Sequence, residues 1–585
     1  MRPPASGRRW VLRAADAVAA AGIEAATGSA PEIARLLAAR GVTAGTAAEF
    51  LSPSLKSSLP DPSTLADMDR AAGRIAAAII AGETCGVFGD YDVDGASGAA
   101  ILQLYFDAVG ARLAVYLPDR LLEGYGPTIE AFRALKAKGA RLILTVDCGA
   151  AAHHAIAEAA AEGLDIVVLD HHQMDGPPPN GAYATVNPNR PDDRSGLTLL
   201  SAAGVVFMAV VAVNRALRVR GFFKARKEPD LRTLLDLVAL GLVCDVMPMT
   251  GLARVLTAQG LKVLAGDGNP GLKALARKAG MKGAATAFDL GFLLGPRINA
   301  AGRIGHARLA FDLLTTDDAE RREALADRLH VMNAERQAIE RAVQEEAIAL
   351  VEARRLYERP VIVAAGEGWH PGVVGIVAGR LKDRYQRPAI IAGVEAGLAK
   401  GSARSIDGVD IGAAIRAARA SGVVIAGGGH AMAAGLTAEA GRLGDLDGFL
   451  DAALRSDVDR AIAAQRLDID ALLAPTAVSA RYARMIAAAG PFGPGNPEPV
   501  FALSSMSVLS ARLVGGAHIA CELAGPDGER VRAIAFRADG ERLGDMLKGR
   551  GRLHLAGRIK IDDWRRGEAA QFQIVDAAEP APETA

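Results

Sequence analysis

What this 585-residue chain lacks narrows its possible functions before any motif is read. Its four cysteines, Cys85, Cys148, Cys244 and Cys521, form no CxxC pair. That spacing excludes a disulfide-stapled secreted scaffold and a zinc ribbon, and fits a reducing, cytoplasmic compartment. Net charge is also missing: 67 Lys and Arg balance 67 Asp and Glu, so any nucleic-acid contact must come from local clustering. No run of eighteen apolar residues escapes charge or glycine punctuation, which argues against a membrane partner. The Arg- and Pro-rich Met1–Arg9 has no apolar stretch behind it and reads as a disordered tail rather than a signal peptide.

What is present centres on Gly-Asp-Tyr-Asp-Val-Asp-Gly, Gly89–Gly95, where a short apolar run empties into Asp90, Asp92 and Asp94. Three carboxylates two residues apart repel one another unless a cation sits among them, although a solvated acidic turn has the same spelling. An EF-hand loop is excluded, because its twelfth position counted from Asp90 is Ile101 and not Glu.

Helical periodicity over Trp10–Ser58 predicts a small entry region, giving 1–58 as tail and helices. A helix over Asp67–Ile80 leads to a strand at Gly86–Phe88, and a buried helix at Ala99–Val109 follows the triple-Asp turn before a strand at Leu113–Leu117. Strands at Arg141–Val146 and Asp165–Leu169 run into Asp147-Cys148-Gly149 and Asp170-His171-His172. In a parallel sheet the carboxyl ends of neighbouring strands lie side by side, so Asp90, Asp92, Asp94, Asp147 and His171 are expected to meet at one edge. The apolar helix Leu234–Asp245 closes on a carboxylate that is poorly solvated unless neutralised, which adds Asp245. Oxygen and imidazole donors suit two Mn²⁺ or Mg²⁺ ions better than structural zinc, and two such ions are the apparatus of phosphoester hydrolysis. Cys148 and Cys244 read as small packing residues, and His153 and His154 as the start of a helix.

Residues 59–314 thus read as a parallel-sheet catalytic domain, and the Gly- and Pro-free 315–356 as a linking helix. A smaller α/β domain at 357–466 has strands at Pro360–Ala365, Pro388–Ala392 and Val423–Ala426 separated by helices. Two of its motifs suit phosphate: the Gly-rich loop Gly427-Gly428-Gly429-His430, through unobstructed N–H groups, and Ser402 with Arg404. Arg297, Arg303, His370 and Arg380 are further candidates for the cleft between the domains. Residues 467–578 turn to short β-like runs, with nine Arg or Lys against five Asp or Glu from Arg537 to Arg566 and with Phe536 and Trp564 interleaved, a pattern suited to single strands. Residues 579–585 read as a tail.

Taken together, Gly-Asp-Tyr-Asp-Val-Asp-Gly, Val-Asp-Cys-Gly, Asp-His-His and a helix-terminal Asp resemble the DHH phosphoesterase superfamily. Asp61–Asp69, Gly295–Arg303, Trp369–Arg380, Gly427–His430 and Pro491–Phe501 resemble its RecJ exonuclease branch, over about Trp10 to Val575. The resemblance implies a DHH domain, a smaller DHHA1 domain joined by a long helix, and a C-terminal OB-type barrel. It implies Asp92, Asp94, Asp147, His171 and Asp245 as metal ligands, with Asp170 and His172 orienting the site or touching phosphate. Many members have a His where this chain has Phe88, and Asp90 stands in for it. By the same resemblance the activity is two-metal hydrolysis of single-stranded DNA from its 5′ end to 5′-mononucleotides, in recombination and repair, alongside helicases and single-strand-binding protein. Two alternatives remain: a DHH phosphodiesterase for short oligonucleotides or signalling dinucleotides, and a non-catalytic DNA-binding protein.

Overall fold

In a computed structural model of the chain, residues 4–120, 122–549, 551–561 and 569–580 are described. Trp564 and most of the terminal tail lie outside them. The first sheet has five parallel strands in the order Leu113–Tyr116, Cys85–Gly89, Leu142–Val146, Asp165–Leu169, Ala184–Val186. Its central strands are buried throughout, as expected of continuous apolar runs covered on both faces. Helices Met68–Ala81, Val93–Val109 and Ala202–Val219 cover one face, and Ile129–Ala137 and His153–Ala161 the other. Ala202–Val219 is long and apolar enough to cross a membrane, yet it lies mostly buried in this core.

Helix Ala319–Ala353, 35 residues, links this domain to a mixed five-stranded sheet. In that sheet Ile362–Glu367 pairs in parallel with Ala389–Glu395, and Leu398–Arg404, Ala433–Glu439 and Ala426–His430 follow antiparallel. Two of these strands, Leu398–Arg404 and Ala433–Glu439, are not foreseen by the sequence pattern. Gly427–His430 is therefore not a loop but part of an edge strand whose one side is paired to Ala433–Leu436. In the third sheet Phe501–Val514 pairs with both His518–Ala524 and Arg552–Ile561, and Arg530–Ala535 and Ala570–Ala578 complete the circuit into a barrel.

The expected tail at the N-terminus is docked from residue 4 onward. Arg9–Leu12 is a strand pairing in parallel with Arg466–Ile469, and Ser6 and Trp10 donate to the buried carboxylate of Asp576. Burial of Asp576 without those donors would be costly, so the barrel's last strand and the first residues of the chain need each other. The entry helices share a core with Ala489, Met485 and Phe492.

Candidate metal centre and phosphate cleft

Three strand ends build the centre. Asp90 N donates to Val146 O, Asp147 N to Leu169 O and Asp170 N to Val186 O, each at 3.1 Å, so the ladder carries these acids past the sheet edge in register. Asp90, Asp92 and Asp94 do not form a turn. Asp92 caps helix Val93–Val109 by accepting from Asp94 N at 2.9 Å and Gly95 N at 3.2 Å, and Asp94 lies in its first turn. Gly95 is required there, since a Cβ would sit 2.5 Å from Asp90 O. Asp147 adopts a left-handed backbone, φ 64°, a strained state for a residue other than glycine and one that clusters at functional sites.

The side chains converge in three groups: Asp90, Asp92 and Asp147; Asp147, His171 and His172; Asp94, His171 and Asp245. Within each group one ligand atom per residue lies within 4.8 Å of the others. His171 Nε2 is 3.2 Å from Asp147 Oδ1, 3.5 Å from Asp245 Oδ2 and 3.9 Å from Asp94 Oδ2. Asp90 Oδ1, Asp147 Oδ1 and His171 Nε2 are buried with no hydrogen-bond partner among the described residues. Buried donors and acceptors are normally satisfied, so these orphans, in two ligand groups that share Asp147, fit bound cations. Asp94 is the partial exception to the expected convergence. Its oxygens already accept from Ser201 Oγ at 2.8 Å, Ala202 N at 2.6 Å and Ala203 N at 3.1 Å, at the start of helix Ala202–Val219.

The electrostatics agree with a site built for positive charge. Burial, and then the charge of Asp92, pushes Asp90 and Asp147 well above the usual carboxylate range and Asp94 up to about 7. Burial and Asp94 raise Asp245 to about 8. Burial and the neighbouring His172 lower His171 to about 4, leaving its imidazole neutral with a lone pair to offer. For His172 burial works the other way, yet its 2.7 Å hydrogen bond to Asp170 and that carboxylate's charge raise it to about 9. Cys148 Sγ donates to Val146 O and Cys244 Sγ to Leu290 O, so both thiols are packing residues.

Facing the acids is a wall of guanidinium groups. Burial lowers Arg303 to about 10, and Arg120, Arg336 and Arg404 lower it further while Asp92 opposes them. Arg404 is likewise lowered by burial and by Arg120. Arg303 Nη1 donates to Gly372 O at 3.0 Å, and Gly302 packs so closely that a Cβ would lie 2.7 Å from Tyr91 O. In the mixed sheet Arg404, Ala433 and His430 occupy one register row, and Ser402, Gly435 and Gly428 the next row on the same face. Arg404 Nη1 lies 2.9 Å from Ser402 Oγ, and Cβ atoms at Gly428 and Gly435 would meet nothing, which leaves the floor open. Gly429 instead has φ 149°, and a Cβ there would lie 2.5 Å from Ala434 Cα.

Other candidates are engaged elsewhere. His370 caps helix Pro371–Tyr385 through Nδ1, accepting from Gly372 N at 3.0 Å. Arg380 pairs with Glu340 of the linking helix at 3.2 Å, and Arg297 donates to Leu293 O and His330 Nδ1. Arg120, stacked 5.0 Å over Tyr91, is not among the residues expected from sequence. Neither is Tyr125, whose hydroxyl lies 3.1 Å from Asp147 O and 3.3 Å from His172 Nδ1. Both lie beyond strand Leu113–Tyr116, by four and nine residues, and so escape the strand-end rule that finds Asp147 immediately after Val146.

Carboxylate and imidazole donors on one wall and guanidinium groups on the other are complementary to a phosphoester that carries divalent cations, which defines an α/β phosphoesterase. Residues 84–242 match the DHH family N-terminal domain, 358–456 the DHHA1 domain and 469–576 the RecJ OB domain. The single-stranded-DNA-specific exonuclease RecJ of Salmonella typhimurium is 36% identical over 561 residues, covering 93% of this chain and 95% of the relative. Crystal structures of RecJ from Thermus thermophilus in complex with Mn²⁺ and with Mg²⁺ superimpose with TM-scores of 0.78 and 0.72, at 30% and 29% identity. Each covers 98% of this chain, and they are matched over 80% and 79% of their own length. The chain belongs to the RecJ family of DHH phosphoesterases.

Proposed function

We propose that the chain is a metal-dependent exonuclease that hydrolyses single-stranded DNA in the 5′-to-3′ direction to 5′-mononucleotides, in recombination and repair. The observation that carries this reading is the convergence of Asp90, Asp92, Asp94, Asp147, His171 and Asp245 into ligand groups whose Asp90, Asp147 and His171 atoms lack hydrogen-bond partners among the described residues, with Arg120 stacked on Tyr91 between Asp90 and Asp92. Asp90, Asp92, Asp94, Asp147, His171 and Asp245 would hold two Mn²⁺ or Mg²⁺ ions, with Asp147 shared between two of the ligand groups. When bound, such ions stabilise charge on the attacking and leaving oxygens of an in-line displacement. Asp170 accepts from His172 Nδ1 and fixes that ring against the phosphate, its raised pKa favouring a cation there. Arg120, Arg303 and Arg404 neutralise phosphate oxygens, and Ser402 with the open strand at Gly428, Gly429 and His430 receives the 5′ end. His370 and Arg380 act through the protein instead, at a helix cap and an ion pair.

The domain bounds 59–314, 357–466 and 467–578 belong to the same proposal, as do a cytoplasmic setting and collaboration with a helicase and single-strand-binding protein. A barrel domain that a dinucleotide substrate would not need favours the long-strand reading. End-labelled single-stranded, duplex and dinucleotide substrates digested with Mn²⁺ test it. Mononucleotides released from single strands, sparing blunt duplex, are expected. Preferential cleavage of the dinucleotide would overturn the reading.

A further inference from the structure

Two large apolar side chains near the metal centre are left to solvent although they stack on each other. Phe288 and Phe292 are 62% and 68% exposed, with ring centroids 4.7 Å apart and planes inclined by 24°. Their spacing of four residues places them on successive turns, and Phe292 lies in a π-helical turn, Leu290–Leu294, of a kind that recurs at functional sites. Leu290 and Gly291 pack against the last turn of helix Leu235–Cys244: Cys244 Sγ donates to Leu290 O, and Gly291 abuts Val243. The residue that follows that turn is Asp245, and Val246 beside it is 65% exposed. The turn that carries the two rings is thus held against the helix that leads to Asp245. Arg297, on the helix that continues this turn, donates Nη1 to Leu293 O and Nε to His330 Nδ1 and pairs with no carboxylate among the described residues.

Exposed, mutually stacked rings followed by a guanidinium-bearing helix suit bare phosphate poorly. They suit a strand whose backbone is charged and whose bases present π-faces. We propose that Phe288 and Phe292 form a stacking platform for a base of the single-stranded substrate, with Arg297 taking an adjacent phosphate. This rests on the nucleic-acid reading above.

The test uses the full chain, wild type, Phe288→Leu/Phe292→Leu and Phe288→Tyr/Phe292→Tyr. Both side chains are exposed, so these changes leave the core intact. Binding is followed without hydrolysis, in EDTA, by quenching of a 2-aminopurine base near the 5′ end of an oligonucleotide. KM is measured with Mn²⁺ on a long oligonucleotide and on a dinucleotide. The leucine variant is expected to lose the quenching and raise oligonucleotide KM on the order of tenfold, to leave dinucleotide KM unchanged, and to be rescued by tyrosine. Equal quenching and equal KM in wild type and leucine variant, including no quenching in either, would overturn the platform while leaving the exonuclease reading standing. A wild type that does not degrade single strands would overturn both. Loss of a concentration-dependent dimer in the leucine variant, with oligonucleotide KM unchanged, would assign the patch to a second copy of the chain and also overturn the proposal.

Discussion

Asp147 belongs to two of the three ligand groups, and its Oδ1 has no hydrogen-bond partner among the described residues. Asp147→Ala should cut turnover at saturating Mn²⁺ by roughly a hundredfold or more, because even groups that only orient a ligand are worth about 10–100-fold. Near wild-type turnover would remove it from the site. Asp94 and Asp245 make a second prediction through their raised pKa values, about 7 and about 8. A carboxyl group held above its unfolded value near 4 binds more protons in the folded state, so metal-free protein loses stability as pH rises from about 4 through 8. Melting temperature in EDTA should fall across that window, and the rise on adding Mn²⁺ should grow with pH. A flat profile would mean that the acids do not repel. Arg404→Ala should weaken binding of 5′-phosphorylated ends more than 5′-hydroxyl ends, and equal losses would make Arg404 a general backbone contact. At this scale the sequence is most legible for residues that end strands, where polarity breaks an apolar run. It is least legible for Arg380 and His370, whose partners Glu340 and Gly372 N come from tertiary pairing and cap geometry.

Elements carried by periodicity are legible to within a few residues: the linking helix, expected over 315–356, is observed at Ala319–Ala353. Helix Val93–Val109 begins six residues before its expected start because Asp92 is its cap, a role that an acidic turn conceals. The strands Leu398–Arg404 and Ala433–Glu439 escape a sequence reading because their small residues carry little β-propensity. Pairing with neighbours on both sides supplies what composition does not. Close helix contact also explains why glycine punctuates apolar helices in the metal domain. A Cβ at Gly241 would meet Asp94 Oδ1 and lie 2.6 Å from Ala203 Cβ. Gly241→Ala should therefore destabilise the protein by about 1–3 kcal/mol and weaken Mn²⁺ binding together. Normal metal affinity in a destabilised variant would separate Asp94 from the site.

On the scale of the molecule, the barrel domain is not an appendage. The Pro491–Phe501 run docks on the segment after Asp245: Met249 N donates to Pro494 O at 2.6 Å, and Gly493 and Gly495 pack against Met249, Pro248 and Thr250. Arg254, 3.7 Å over the Phe50 ring, ties the entry helices to the same place. Truncation after Leu467 should lower Mn²⁺ affinity and melting temperature, because it strips support from the Asp245 segment and leaves Val11 and Leu12 without Asp468 and Ile469. Unchanged metal binding in the truncated chain would show that this contact does not reach the site.

The hydrogen bonds from Ser6 and Trp10 to Asp576 set a clock on biosynthesis. Ser6 emerges from the ribosome 570 residues before Asp576, its partner. At about 5–20 residues per second the N-terminal segment waits from roughly half a minute to two minutes before its acceptor exists. For the part of that interval before Arg466–Ile469 is made, the short strand Arg9–Leu12 presents an unpaired edge to other nascent chains. A cell making this protein must shelter Arg9–Leu12 until Arg466–Ile469 has been joined, and Ser6 and Trp10 wait longer still for Asp576.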